Sequence, residues 1–353
     1  MAEVVYLVGN GLSVGVSPAF RVDALTAKLN LTLDEATRAA LIEIATLGRP
    51  DPPTGEAPSV LGFEDYAGPI DRIAAALRTL APLAEHGQHS DVLWEAYEYL
   101  RGRYLQLAGT VLAEIAAATS LGNTNDWEHL NQFADEIRSL HTRHPSAVFT
   151  LSYDTLLDSA MIEAHRGWFY DGFAGQSMVL NDPLDCFAGT MPVYHLHGSV
   201  LWSQAADGTI SKSRSDSAPH HDQMEKWRVG DDSAGLPVVI LTDLKTRAAA
   251  QYPFDLFYSE FWDELANSRR LVVAGYGFHD TPVNQVVRRW LMDPKVGGGR
   301  VLEVWAPGDM TQAVASLGLP EEVTGQVESL DVALPDPQVV KDLGKRLEAG
   351  RRG

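Results

Sequence analysis

The chain has 353 residues, of which 45% are hydrophobic and 21% charged, a composition of globular proteins long enough to bury a substantial core. Its 28 Lys and Arg against 47 Asp and Glu give a formal charge of -19, which disfavours duplex nucleic acid and anionic lipid as direct partners. A single cysteine, Cys186, allows neither an internal disulfide nor a thiolate zinc module and points to a reducing, cytoplasmic setting.

The opening run EVVYLV is followed by glycines rather than by more apolar residues, so it reads as a strand and not as a signal peptide, and no later stretch stays apolar long enough to span a bilayer. Further runs of the same kind are AVFTL, VYHLH, PVVIL, RLVVAGY and RVLEVWA. Near-continuous apolarity suits strands covered on both faces. Helical stretches such as YDTLLDSAMIEAHR and PFDLFYSEFWDELANS separate several of them. The expected class is therefore α/β, a Rossmann-like, doubly wound and mainly parallel sheet.

Between the first two strands, residues 21–144 carry helix-period segments, among them DALTAKL, DEATRAALIEIATL, GPIDRIAAALRTLAPLA and SDVLWEAYEYLRGRYLQLAGTVLAEIAAA. This predicts a helical insertion or cap, with the main domain formed by residues 1–20 and 145–340. LGRPDPPTGEAPS reads as a Pro/Gly loop inside the insertion, SQAADGTISKSRSDSAPHHDQ as a polar loop following a hairpin-like turn at ADG, and residues 341–353 as a frayed basic tail.

Four segments carry candidate chemistry. In LVGNGLSVG, Gly9 and Gly11 allow a close backbone approach, to a phosphate or simply to a neighbouring turn. The dinucleotide fingerprint wants a third glycine where Val14 stands, which argues against an ordinary dehydrogenase. FTLSYDTLLD sets Ser152, Tyr153 and Asp154 at a strand's carboxyl end, with Asp154 also suited to cap the next helix. In VYHLHGSV, alternation sends His195 and His197 to one side of a strand, and Gly198 opens the backbone beside the second ring. Such a histidine can be a hydrogen-bonded structural group or a general base. LVVAGYGFHDTPVNQVV brings Gly275, Gly277, Asp280 and Asn284 to a strand-to-helix turn, where Asp280 could be an N-cap or a ligand contact.

Taken in order, GNGLS, FTLSYDTLLD, HLHGSV and GYGFHDTPVNQVV resemble the sirtuin-like NAD-consuming family, in particular its bacterial anti-phage defence branch, and PVVILTDLK resembles another segment of that family. The resemblance implies an NAD-binding Rossmann-like domain in which His197 is the catalytic base. It places Gly9, Gly11 and Ser13 along the phosphates and Gly275 and Asp280 near the adenosine end, and counts Asn10, Asp154, Gly198, Gly277 and Asn284 among the cofactor-binding residues, with Ser152 beside His197 in the catalytic set. Zinc-dependent deacylases of that family carry four cysteines, so the implied activity is NAD glycohydrolysis to nicotinamide and ADP-ribose, without metal, in a defence role through NAD depletion. Ser152 stands where the family has a catalytic asparagine, and Gly277 where it has serine. Those departures motivate an alternative, a silent subunit that binds NAD or ADP-ribose. The resemblance also implies a homo-oligomer or a defence partner such as an ATPase. A third reading, a metal-dependent phosphohydrolase, would use His195, His197 and Asp154.

Overall fold

The structure, a computed structural model, describes residues 2–46, 61–84, 90–120, 124–165, 169–174, 177–178, 190–214, 218–242, 245–293 and 299–351. Cys186 and the Pro/Gly segment 47–59 lie outside the described residues. In chain order the elements begin β1 (Val4–Val8), α1 (Asn10–Val16), α2 (Val22–Thr32), α3 (Glu35–Thr46), α4 (Phe63–Leu80), α5 (Ser90–Ser120) and α6 (Thr124–His141). They continue β2 (Ser146–Thr150), α7 (Leu156–His165), β3 (Phe169–Tyr170), β4 (Phe173–Ala174), β5 (Ser177–Met178), β6 (Met191–His195), β7 (Gly198–Gln204) and β8 (Ile210–Lys212). After α8 (Ala218–Arg228) and β9 (Leu236–Val239) come α9 (Lys245–Ala249), α10 (Phe254–Asn267), β10 (Arg270–Ala274), α11 (Thr281–Met292) and β11 (Val301–Ala306). The chain closes with α12 (Thr311–Ala315), α13 (Glu321–Thr324), β12 (Val327–Asp331) and α14 (Pro337–Gly350).

Two compact units emerge. The first comprises Met1–Pro18, Ala118–Ser199 and Lys245–Gly353; the second comprises Ala19–Ala117 and Val200–Leu244. In the first, seven strands pair in the order β12-β11-β10-β1-β2-β6-β3, and every pairing is parallel. The central strands are uniformly buried, as their apolar runs require. The strand order reverses across β1, since the chain builds outward to β2 and β6 on one side and to β10 and β11 on the other. Open α/β sheets bind ligands at the carboxyl ends of strands around such a reversal. Register makes that rim specific: Val8 pairs with both Ala274 and Thr150, and Thr150 with His195. The residues that follow, Gly9, Gly275, Leu151 and Leu196, therefore emerge along one edge. Each is tied to the neighbouring strand by its own N–H, Gly9 to the Ala274 carbonyl at 2.8 Å and Leu151 to Val8 at 2.9 Å.

The boundaries depart from the sequence reading at three places. Helix α6 belongs to the first unit, where it packs on α7 and α14, so the helical unit ends at Ala117 rather than at 144. The expected frayed tail is the body of α14, because Val339, Val340 and Leu343 are buried and Asp336 caps the helix by accepting from the Gln338 N–H. The hairpin-like turn expected at ADG is present, with β7 and β8 antiparallel around Asp207–Gly208, but the polar segment after it is not all loop, since α8 starts at Ala218. Strand β9, from PVVIL, sits beside β7 in a second sheet and not in the parallel one.

In the second unit, α5 meets α8 so closely that a Cβ at Gly109 would come 2.5 Å from the Trp227 carbonyl carbon. Trp227 is fully buried and donates its indole N–H to the Gly235 carbonyl at 2.7 Å. No helix among the described residues is long and apolar enough to cross a membrane.

Candidate functional site

The glycine turn after β1 and the one after β10 interlock. A Cβ on Gly9 or on Gly11 would lie 2.5 Å from the Gly275 carbonyl oxygen, and one on Gly275 would lie 2.5 Å from the Leu12 nitrogen. Gly275 also has φ +66°, which a side chain disfavours. Backbone packing alone thus requires these three glycines, whatever else the turn binds. Gly277 differs: its Cβ would meet only the His279 ring, at 3.1 Å. The turn it belongs to passes through Phe278, at φ +58°, and is locked by Asn284, whose amide donates to the Phe278 carbonyl at 2.7 Å and accepts from the Tyr276 hydroxyl at 2.8 Å. Both ends of the Asn284 side chain are thus engaged inside the turn.

At the β2 end, Ser13, Ser152 and Asp154 form one buried cluster. Ser13 Oγ donates to Asp154 Oδ2 at 2.6 Å, and Ser152 Oγ donates to the same oxygen. The other oxygen, Oδ1, accepts the Leu156 N–H at 2.9 Å, a contact that orders the start of α7. Asp154 thus serves the helix and gathers two hydroxyls with one carboxylate. Asn10, the first residue of α1, is adjacent to the turn.

The two histidines do not act as a pair. Strand β6 ends at His195, and His197 lies in the turn before β7, where Gly198 takes φ +80°. Alternation stops there, and the rings find separate carboxylates. His195 Nε2 is 2.8 Å from Asp158 Oδ2, with its Nδ1 3.2 Å from the Ser152 carbonyl oxygen. His197 Nε2 is 3.0 Å from Asp280 Oδ2 and 3.5 Å from the Tyr258 hydroxyl, and the Tyr153 ring centroid stands 6.2 Å from its own. With separate carboxylates, His195, His197 and Asp154 are not grouped as the phosphohydrolase reading needs. Among the described residues, no group of three or more His, Cys, Asp and Glu side chains is placed to hold a metal ion.

Asp280 is the hub of the β10 end. It caps α11 through Oδ1, which accepts the Val283 N–H at 3.0 Å, while Oδ2 faces His197 and also the Lys245 ammonium at 3.6 Å. Burial pushes its carboxyl up, but the His197 ring at 3.0 Å, the Lys245 charge and the Val283 N–H together outweigh that and hold it below the usual carboxylate range. Burial, reinforced by Asp280, pushes the phenols of Tyr258 and Tyr276 up, so both stay neutral.

Of the candidate residues, Gly9, Gly11 and Gly275 meet directly, Ser13 meets Ser152 and Asp154, and His197 meets Asp280. Sequence reasoning missed Asp158, Lys245 and Tyr258. A signal existed for Asp158, which falls one helical turn after Asp154 on an apolar helix and so faces the sheet.

Residues 146–296 match the family model of the SIR2-like domain. Over that span the chain is similar to the SIR2-like domain. The matched span contains the Ser152–Asp154 end, both histidines, Lys245 and the Gly275–Asn284 turn, while the first glycine turn lies before it. No curated protein matches the chain. Solved structures similar to this chain include an ADP-ribose complex of a Sir2 homologue point mutant, at 13% identity and TM-score 0.47, covering 99% of this chain and 94% of that one. A second ADP-ribose complex of a Sir2 homologue mutant has 13% identity, TM-score 0.43 and the same coverage. A Sir2 mutant with a p53 peptide and NAD has 13% identity and TM-score 0.41, again covering 99% and 94%.

Proposed function

We propose that the SIR2-like domain binds NAD at the carboxyl rim of the parallel sheet and cleaves it to nicotinamide and ADP-ribose, with His197 as general base. One observation carries the reading: the interlocked turns at Gly9–Gly11 and Gly275 continue within five residues into Asp280, which contacts His197. Segments remote in sequence are thereby joined at the edge where such sheets take nucleotides.

The residues present suit that substrate. Gly9, Asn10, Gly11 and Ser13 are assigned to the phosphates, Gly198, Gly275, Gly277 and Asn284 to shaping the walls, and Ser152 with Asp154 to the ribose and the attacking water. In the reaction the bond between ribose C1′ and the nicotinamide nitrogen breaks, its electron pair leaving with neutral nicotinamide. A water oxygen bonds to C1′, and His197 takes the proton that water gives up. The polar contacts of the imidazole among the described residues are all made at Nε2, so Nδ1 is the nitrogen available for that proton. NAD depletion of this kind fits an anti-phage defence enzyme in the cytoplasm, acting as a homo-oligomer or with a partner such as an ATPase.

A second reading draws on Ser152, whose hydroxyl is already donated to Asp154. With only lone pairs left to offer, it would bind a ribose hydroxyl without activating water, and the chain would then be a silent NAD or ADP-ribose sensor within a defence complex.

Chromatography of NAD incubated with wild type and His197→Ala decides between them. Release of nicotinamide by wild type, lost in the variant, supports the enzyme. Binding of NAD by calorimetry with no release at any pH or protein concentration overturns it in favour of the sensor.

A further inference from the structure

Near the candidate base stand a carboxylate, an ammonium and three tyrosines, and their arrangement is specific. Asp280 Oδ2 is 3.0 Å from His197 Nε2, Lys245 Nζ is 3.6 Å from that same Oδ2, and the Tyr258 hydroxyl is 3.5 Å from Nε2. The Tyr153 ring flanks the imidazole, and Tyr276 holds the Asp280 backbone by accepting its N–H at 2.9 Å. Both partners of the central contact are nearly enclosed, with side-chain exposures of 4% and 3%, whereas Lys245 keeps 21%.

We propose that Asp280 is a positioning residue that fixes His197 with its proton on Nε2, and so presents Nδ1 as the base, while Lys245 tempers how strongly Asp280 does this. The inference rests on the reading of His197 as the base for NAD cleavage, and adds what decides its tautomer and strength.

The physics is that of a carboxylate–imidazole pair. A buried anion beside one ring nitrogen draws the single proton of the neutral ring to that side, because the alternative sets two lone pairs against each other at 3.0 Å. When Nδ1 then takes a proton from water, the new positive charge lies next to an anion in a poorly screened site and is stabilised. Lys245 acts on the same oxygen with the opposite sign. Its ammonium satisfies part of the carboxylate's charge and leaves less for the imidazolium. The N-cap contact through Oδ1 adds a fixed orientation, since the carboxylate cannot rotate away from His197 without abandoning the Val283 N–H. Tyr258 and Tyr276, neutral phenols, contribute no charge of their own. Other ionisable side chains near the pair are absent from the described contacts of His197.

Opposite signs at two residues give a test that a merely structural role would not pass. Histidine-selective ¹⁵N labelling of the full chain, with the His197 signal assigned by its loss in His197→Ala, reports both the tautomer and the midpoint of ring protonation without any NAD. Wild type is expected to show the Nε2–H tautomer at neutral pH. In Asp280→Asn, which keeps an oxygen for the helix cap, the midpoint falls by about one pH unit. In Lys245→Met, which removes the competing cation and touches no cap, it rises. With NAD present, the acid limb of the kcat profile moves in the same two directions, and Asp280→Asn lowers kcat with KM little changed.

An Nδ1–H tautomer in wild type, or midpoints that stay put or move together in the two variants, overturns the proposal. Turnover that survives in His197→Ala overturns instead the assignment of His197 as base, and the spectra still report whether Asp280 and Lys245 act on the ring.

Discussion

His195 Nε2 lies 2.8 Å from Asp158 Oδ2, a contact that ties the last residue of β6 to the first turn of α7, with both side chains buried. Through Nδ1 the same ring reaches the Ser152 carbonyl, so it braces the β2 end of the rim as well. Removing one member leaves the other polar group buried with a lost partner, which typically costs about 3 kcal/mol. His195→Leu and Asp158→Leu are each expected to lower the thermal midpoint strongly, and the double variant to lower it by less than the sum. A calorimetric double-mutant cycle checks this; strictly additive losses would show that the pair is not coupled.

The glycine turns give a sharper contrast. Gly275 combines φ +66° with a Cβ position only 2.5 Å from the Leu12 nitrogen, a backbone atom that cannot rotate away. Gly275→Ala should cost about 2 kcal/mol or more, or leave the chain insoluble. Two residues on, Gly277→Ala meets just the His279 ring, which can move, and is expected to change stability by less than about 0.5 kcal/mol. Paired denaturation curves test it, and equal losses would mean that the interlock of the two turns does not govern tolerance here.

The rim was legible in the sequence because strands buried on both faces announce themselves as apolar runs, and their ends could be read from the glycine, serine and aspartate that follow. AVFTL, VYHLH and RLVVAGY all became parallel strands next to or near β1. What the sequence did not disclose was pairing across the rim. Alternation placed His195 and His197 together, but the strand stops at His195 and Gly198 turns the backbone, so the rings diverge. Asp280 read equally well as a cap or as a ligand contact, and it is a cap through one oxygen and a histidine partner through the other. Lys245 lies in a segment noted only for its resemblance, and nothing local in PVVILTDLK reveals a carboxylate 35 positions away in the chain. The unit boundary was missed for a related reason: α6 looks like its helical predecessors, and only its burial against α7 and α14 assigns it to the sheet.

Acid should weaken the fold before carboxylates titrate. His141 Nδ1 accepts the Ser146 N–H at 2.9 Å at the start of β2, and burial lowers the ring below its ordinary 6.5 despite the Ser146 backbone hydrogen bond, which raises it. Since the folded ring binds a proton less readily than the unfolded one, its contribution is complete above 6.5 and is lost as the pH falls through the lower folded value. Burial lowers His220 in the second unit likewise, with His221 adding to it. Thermal midpoints of wild type are expected to drop between pH 7.5 and pH 5.5, and the drop to be shallower in His141→Gln. Parallel profiles for the two proteins would remove His141 as a cause.

The Ser152 position tests how much of the chemistry the chain has kept. Asp154 Oδ2 accepts from both Ser13 and Ser152, which leaves the Ser152 hydroxyl no further hydrogen to offer a ribose or a water. An asparagine there has two N–H groups, one for Asp154 and one for substrate, as well as a carbonyl. Under the proposed NAD cleavage, Ser152→Asn is expected to raise nicotinamide release roughly tenfold, a modest share of what one well-placed donor contributes at a transition state. Ser152→Ala, which removes a donor to Asp154 and supplies none to the ligand, should leave release at or below the wild-type rate. The readout is nicotinamide formed per enzyme at saturating NAD, alongside calorimetric NAD affinity for each variant. A Ser152→Asn protein that binds NAD as wild type does and releases no more nicotinamide would show that the missing amide is not what limits this site.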